Sequence, residues 1–277
     1  MSPTSREILD ALLASEREQI PTALATVVSA PPSMEALIGR KKVIWLDRPS
    51  LGDLGLGELE AQVVESAREA IASRRHHLAR LAVSNGHVEV FIEVQQRPLD
   101  LIIVGAGHIA QPLCQIGAMC DFRVTVIDDR PQYARRDRFP QAAEVIAAPM
   151  AETLREWLGQ GRLGPDTYVV LVTRGHQHDI DCLLEILDAP LAYIGMIGSR
   201  RRVTAVFQLL SEEKGIPAAK FDRVHAPIGL DIGAHTPAEI AVSIMAEIIK
   251  VRRGGTGISL SEQRRRRAMT TGSSGRA

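Results

Sequence analysis

The chain is poor in aromatics, cysteine and net charge. Phe, Trp and Tyr make up 4% of its 277 residues, too few for the ring platforms on which proteins stack bases. Basic and acidic residues balance at 33 each, so the general attraction to phosphate that nucleic-acid binding needs is missing too. Nucleic acid is therefore not an expected partner. Three cysteines (Cys114, Cys120 and Cys182) cannot build a disulfide framework, which points to the reducing cytoplasm. No apolar run reaches the ~18 residues of a membrane helix, so no membrane association is expected. Residues 1–18 are polar and lack the apolar h-region of a secretory signal. What is present is ordinary globular composition, 45% hydrophobic and 24% charged, which excludes a disordered chain. At ~150 residues per domain, the length predicts about two domains.

Three regions separate by pattern. In residues 1–97, helical spacing over 5–17 (Ile8, Leu9, Leu12, Leu13) and over 59–71 predicts two helices. Residues 24–29, 42–46 and 87–94 read as strands, the last alternating Val88, Val90, Ile92 and Val94 with Glu89, Phe91 and Glu93. This is a small mixed α/β domain, and the polar break at 95–98 is its expected boundary. Residues 98–253 alternate apolar runs (101–104, 123–127, 144–146, 168–172, 191–196) with helical segments (108–119, 150–158, 179–187, 199–214). Such alternation predicts right-handed βαβ units: an α/β fold with a Rossmann-like parallel sheet and helices on both faces. Thr236, Pro237 and Glu239 supply the N-cap, first-turn proline and capping-box acid of a last helix, ending near Val251. Residues 254–277, which include the run Arg264–Arg267, are expected to be a flexible, basic, solvated tail.

Gly105-Ala106-Gly107-His108-Ile109-Ala110 stands between an apolar strand and a helix. Gly105 permits the tight turn, Gly107 the close approach of a pyrophosphate, and Ala110 close packing of helix on sheet. The helix N-terminus favours an anion. Asp128 follows the second strand at the spacing of a ribose-binding acid; Asp129 is a second candidate, and Arg130 keeps a 2′-phosphate open. A structural turn with two surface acids accounts for the same residues.

The stretch 173–179 ends the fourth strand, where ligands gather in such sheets. His176 and His178 are candidates for proton transfer, since histidine titrates near neutral pH. Asp179 either joins them or caps the helix. No third block of matching ligands is visible, so no metal site is assigned. Gly198-Ser199-Arg200-Arg201-Arg202 is either an anion site or an N-cap with solvated arginines. The loop 225–236, with His225, Asp231 and two glycines, is expected to cover a ligand crevice.

These motifs together resemble the XdhC/CoxF family of xanthine dehydrogenase accessory proteins. The resemblance spans about residues 99–254. It is carried by Val104-Gly-Ala-Gly-His-Ile-Ala110, Thr173-Arg-Gly-His-x-His-Asp179, Tyr193-Ile-Gly-Met-Ile-Gly-Ser-Arg-Arg201 and His225-Ala-Pro-Ile-Gly-Leu-Asp-Ile-Gly-Ala-x-Thr-Pro-x-Glu-Ile-Ala241. It implies a Rossmann domain behind a smaller N-terminal one. It also implies a maturation factor, a chaperone rather than a turnover enzyme. Such a factor binds the molybdenum cofactor, supports its sulfuration and hands it to the apo-form of a xanthine dehydrogenase-type molybdenum hydroxylase. Gly105, Gly107, His108, Ala110, Asp128, Gly198, Ser199, Arg200, Arg201 and Asp231 are then expected to bind the cofactor. His176, His178, Asp179 and His225 are expected to contact or protonate it. A cysteine desulfurase is a further expected partner, and a homodimer the expected assembly.

The N-terminal region departs from the family pattern. Ala36 stands where the family has arginine and Glu58 where it has cysteine, while Glu60 matches. A carboxylate replaces a thiolate neither as a soft-metal ligand nor as a sulfur carrier. Two alternatives remain: an NAD(P)-dependent oxidoreductase built on the glycine loop and Asp128, and a nucleotide-sensing regulatory module without turnover. Neither the loop nor the fold class separates them, because Rossmann domains host many functions.

Overall fold

The computed structural model describes residues 4–18, 20–95 and 98–265. The chain divides into two compact units, Met1–Arg97 and Pro98–Ala277.

The first unit opens with α1 (Ser5–Arg17), whose capping box pairs Thr4 with Glu7. It continues with β1 (Thr22–Ser29), β2 (Lys41–Trp45), β3 (Leu51–Gly52), α2 (Glu60–Ser73), β4 (His77–Val83) and β5 (Gly86–Gln95). The strands form an antiparallel sheet in the order β3-β2-β1-β5-β4. Period-two alternation turns Ala23, Ala25, Val27, Val88, Val90 and Ile92 to one face, against Val63, Ala67 and Ile71 of α2. Ile8 of α1 packs on Val43 and Trp45, and the Trp45 indole N–H donates to Ser15 Oγ at 2.8 Å. The sequence reading did not foresee β3 and β4. β4 buries Ala79 and Leu81 but exposes Leu78, which blurs its alternation.

The second unit runs β6 (Leu99–Val104), α3 (Ala110–Met119), β7 (Phe122–Asp128), β8 (Glu144–Ala147), α4 (Met150–Gly159), β9 (Thr167–Leu171), α5 (His176–Ile186), β10 (Tyr193–Met196), α6 (Arg200–Lys214), β11 (Val224–His225) and α7 (Pro237–Arg253). Its sheet is parallel throughout, in the order β8-β7-β6-β9-β10-β11. This is the Rossmann strand order, with its reversal between β6 and β9. β6 is buried along its whole length, as a strand covered on both faces must be. Ile102 and Val104 meet Leu154 of α4, Leu183 of α5 and Val203 of α6. Leu101 and Ile103 belong to the opposite core, with Leu113 of α3 and Ile244 and Ile248 of α7.

α7 carries the expected capping box of Thr236 and Glu239 with Pro237 in its first turn. β11 falls where the sequence reads as loop; two residues are too few to show a period. Between β7 and β8 there is only a single 3-10 turn, Arg136–Arg138. Gln96 and Arg97 of the expected boundary, and Arg266 and Arg267 of the four-arginine run, lie outside the described residues.

Candidate functional site

Parallel strands point their carboxyl ends one way, so the loops after β6, β7, β9, β10 and β11 gather along one edge of the sheet. Gly105 has φ +104, and a Cβ there would stand 2.6 Å from the Val172 carbonyl oxygen. Only glycine lets the ends of β6 and β9 come this close. A Cβ on Gly107 would meet nothing within 4 Å, so the space above the loop is open, and His108 is exposed beside it. Ala110 is completely buried in the core beneath α3; its small side chain serves packing.

Asp128 takes a role other than the expected ribose contact. It is 1% exposed. Its Oδ2 accepts from the Ala106 N–H at 2.7 Å and Arg130 Nη2 at 2.9 Å, and its Oδ1 from the Arg130 N–H at 3.0 Å and Nε at 2.8 Å. A carboxylate offers about four acceptor positions, and here all are filled. Burial by itself would push this acid up; the Arg130 guanidinium and the two backbone N–H groups outweigh it and hold the group at about 2. Asp128 thus fastens the glycine loop to the end of β7 and keeps no acceptor for a ribose hydroxyl. Asp129 is also engaged, in a two-bond pair with Arg174 at 2.8 and 2.9 Å. That pair reaches from the end of β9 past β6 to the end of β7.

Asp179 is 5% exposed and accepts from the Thr173 N–H at 3.2 Å. It holds the turn into α5. His178 is half-buried on the same first turn, and the backbone of His176 opens the helix. His225 stands apart at β11, with β10 between. Its ring stacks on Tyr193 at 4.5 Å, and its Nδ1 is 3.6 Å from Glu247 Oε1.

Glu247, which the sequence reading missed, organises this corner. It accepts from the Tyr193 hydroxyl at 2.6 Å and the Gly229 N–H at 2.9 Å. Burial alone would raise it; His225, Tyr193 and Gly229 hold it at about 2 instead. A signal was there to find: Glu247 falls at helical spacing from Ile240 and Ile244, an acid on the inward stripe of α7.

Ser199 is the N-cap of α6, accepting from the Arg202 N–H at 3.3 Å, with Gly198 half-buried before it. Arg200, Arg201 and Arg202 are exposed. Arg200, Asp231 and His235 line a cavity of about 530 Å³, together with Ile228, Leu230 and Ile240. The loop forming its wall is pinned residue by residue. The Ile228 N–H donates to Met196 O at 3.0 Å and the Leu230 N–H to Ser243 O at 3.2 Å, while Ser243 Oγ donates to Leu230 O at 2.6 Å. Gly229, at φ +103, presses against Ser243, where a Cβ would stand 2.4 Å from Oγ.

In the first unit, Glu60 is a structural acid. Its Oε1 accepts from the N–H groups of Leu54 at 2.9 Å and Gly55 at 3.0 Å, and its Oε2 pairs with Lys42 at 2.6 Å. Glu58 is exposed on the short 3-10 turn Gly57–Leu59. Burial pushes the Cys114 thiol up to about 11 and the Cys182 thiol up to about 12, away from the reactive thiolate. Among the described residues, no group of three His, Cys, Asp or Glu side chains is arranged to hold a metal, and no helix is long and apolar enough to cross a membrane.

A family model described as the XdhC Rossmann domain matches residues 101–248, and one described as the XdhC and CoxI family matches residues 15–82. The protein YqeB of Escherichia coli (strain K12), named as uncharacterized, is 29% identical over 253 residues, which are 87% of this chain and 46% of that protein. A Bacillus subtilis (strain 168) protein, named as a probable subunit of xanthine dehydrogenase, is 36% identical over 164 residues, 59% of this chain and 46% of that protein. The chain spans about half the length of these curated relatives. A crystal structure described as a xanthine dehydrogenase from Bacillus halodurans shares the fold, with a TM-score of 0.52 at 20% identity over 92% of this chain and 97% of that one.

Proposed function

The chain belongs to the XdhC family, and from that premise we propose that it is an accessory protein of a xanthine dehydrogenase-type molybdenum enzyme, holding the molybdenum cofactor and passing it to the apo-enzyme. The observation that carries this reading is the cavity beside the start of α6, where Arg200 and Asp231 line a space of about 530 Å³. The organic part of the cofactor is a pterin with an anionic phosphate. Arg200, Arg201 and the Gly198–Ser199 turn suit the phosphate, since a capped helix start and guanidinium groups both favour an anion. The apolar walls at Ile228, Leu230 and Ile240 suit the ring. The cofactor would supply the molybdenum centre that the recipient enzyme uses; Arg200, Arg201 and the apolar residues Ile228, Leu230 and Ile240 would hold and orient it.

Delivery, rather than sulfur transfer, is the part these residues support. The Cys114 and Cys182 thiols are buried and pushed up, Cys120 is half-buried at the end of α3, away from the cavity lining, and Glu58 is a carboxylate at the family's cysteine position. Sulfur then comes from a partner with a reactive thiolate, a cysteine desulfurase being the expected class. The filled acceptors of Asp128 count against the NAD(P)-dependent oxidoreductase, because its ribose contact is already spent. Three free cysteines fit work in the reducing cytoplasm.

The test is to express the chain in cells that make molybdenum cofactor, purify it without oxygen, and identify released ligands by mass spectrometry and pterin fluorescence. The expected result is a stoichiometric pterin, reduced about tenfold or more by Arg200→Ala with Arg201→Ala, as loss of charge-assisted phosphate contacts requires. Protein that emerges free of pterin from cells with working cofactor synthesis overturns the reading.

A further inference from the structure

The cavity beside α6 holds an acid and a base that do not neutralise each other. Arg200 and Asp231 both line it, and the side chain of neither takes part in an ion pair or a hydrogen bond among the described residues. Two opposite charges left open in the lining of one cavity are available to a ligand that carries both an anion and hydrogen-bond donors. Asp231 also stands on a prepared support. The three residues before it each give their backbone N–H to a fixed acceptor: Ile228 to Met196 O at 3.0 Å, Gly229 to Glu247 Oε2 at 2.9 Å and Leu230 to Ser243 O at 3.2 Å. Glu247 is in turn held by Tyr193 at 2.6 Å. A loop ordered before binding loses little entropy on binding, so the position of its carboxylate becomes a means of selection.

The chemistry of the acid narrows the ligand. A carboxylate presents two coplanar acceptor oxygens and matches two adjacent N–H donors on a planar group. A 2-amino-4-oxo pyrimidine ring offers such a pair, its 2-amino group and its N3–H. We infer that Asp231 is the specificity-determining residue of this cavity: it reads the 2-amino and N3–H edge of a pteridine, while Arg200 takes the phosphate. This rests on the cavity being the pterin site. Guanine shares the same edge, so the test includes a guanine nucleotide.

The experiment measures, on the full chain, the affinity of pterin, of lumazine and of guanosine 5′-monophosphate by fluorescence and calorimetry. Lumazine carries a carbonyl where pterin carries its amino group, so it sets an acceptor against the Asp231 carboxylate. Pterin is expected to bind about tenfold or more tightly than lumazine, in keeping with the penalty for an unmatched hydrogen-bonding group. Asp231→Asn is expected to abolish that preference with the melting temperature unchanged, because Asp231 is exposed on its loop. Arg200→Ala is expected to leave the pterin-to-lumazine ratio intact.

Equal binding of pterin and lumazine, binding of neither, or a preference that survives Asp231→Asn overturns the inference. Tighter binding of the guanine nucleotide, lost in Asp231→Asn, keeps the edge-reading role of Asp231 and overturns its assignment to a pteridine. The amount of co-purified cofactor separates the two readings. Cofactor retained by a protein without the pterin preference sinks the role of Asp231 alone. A preference for pterin in protein that never carries the cofactor sinks the delivery reading alone.

Discussion

Glu247 and Asp128 are acids that the fold holds ionised although their side chains are largely shut off from water. Glu247 lies near 2 against an ordinary 4.5, and Asp128 near 2 against 3.8. Both folded values are depressed, so both groups add stability above their unfolded values, and that contribution is lost as pH falls from about 4.5 towards 2. Glu247→Gln keeps an acceptor for Tyr193 and Gly229 but removes the charge facing His225. It is expected to cost roughly 2 kcal/mol at neutral pH and to flatten the acid limb of the stability profile. Urea unfolding followed from neutral pH down to about 2 measures this. An acid limb equally steep in the variant would show that Glu247 does not carry it. In the sequence Asp128 reads as a ligand contact, and Glu247 shows only as an acid on the inward stripe of α7, with nothing to name its partners.

At the scale of elements, α7 does two tasks with one face. Its start is fastened by the Thr236 and Glu239 box, and one turn separates Ser243 from Glu247, which together hold the loop before Asp231. Thr236→Ala removes the N-cap acceptor for the Glu239 N–H, 3.3 Å away. The expected loss is about 1 kcal/mol, read as a lower urea midpoint with an unchanged slope. An unaltered midpoint would mean that the first turn contributes nothing to the folded unit. The cap was legible because its residues are adjacent in the chain and each has a fixed place. β11 was not legible: its two residues gain strand geometry only by pairing with β10, Ile194 beside Val224 and Gly195 beside His225.

The whole molecule is two units, each with its own cores. The first closes around Ala25, Val63 and Val90. The second has one core on each face of its sheet, around Leu154 and Leu183 and around Leu113 and Ile244. No residue of these clusters is shared between units, so each unit has an apolar interior of its own to bury. A chain of residues 98–265 alone is therefore expected to unfold in one cooperative thermal transition with native near-ultraviolet dichroism. Loss of that dichroism with helix content retained would show instead that the second unit needs the first for its packing.

The alternation of strands and helices, the glycine turn at Gly105 and the cap at Thr236 were determined by the sequence alone, because each is a signal between neighbours: a period, a spacing or a steric demand within one turn. What the acids do was decided only by the tertiary structure. Asp128 is filled in part by the N–H of Ala106, 22 residues away, and Glu247 is held by Tyr193, 54 residues away. Arg200 and Asp231 come to one cavity only because β10 and β11 lie side by side and α7 turns the loop back over them. Whether a carboxylate is spent on the fold or left for a ligand depends on which distant donors reach it and how much water remains, and a linear pattern carries neither quantity.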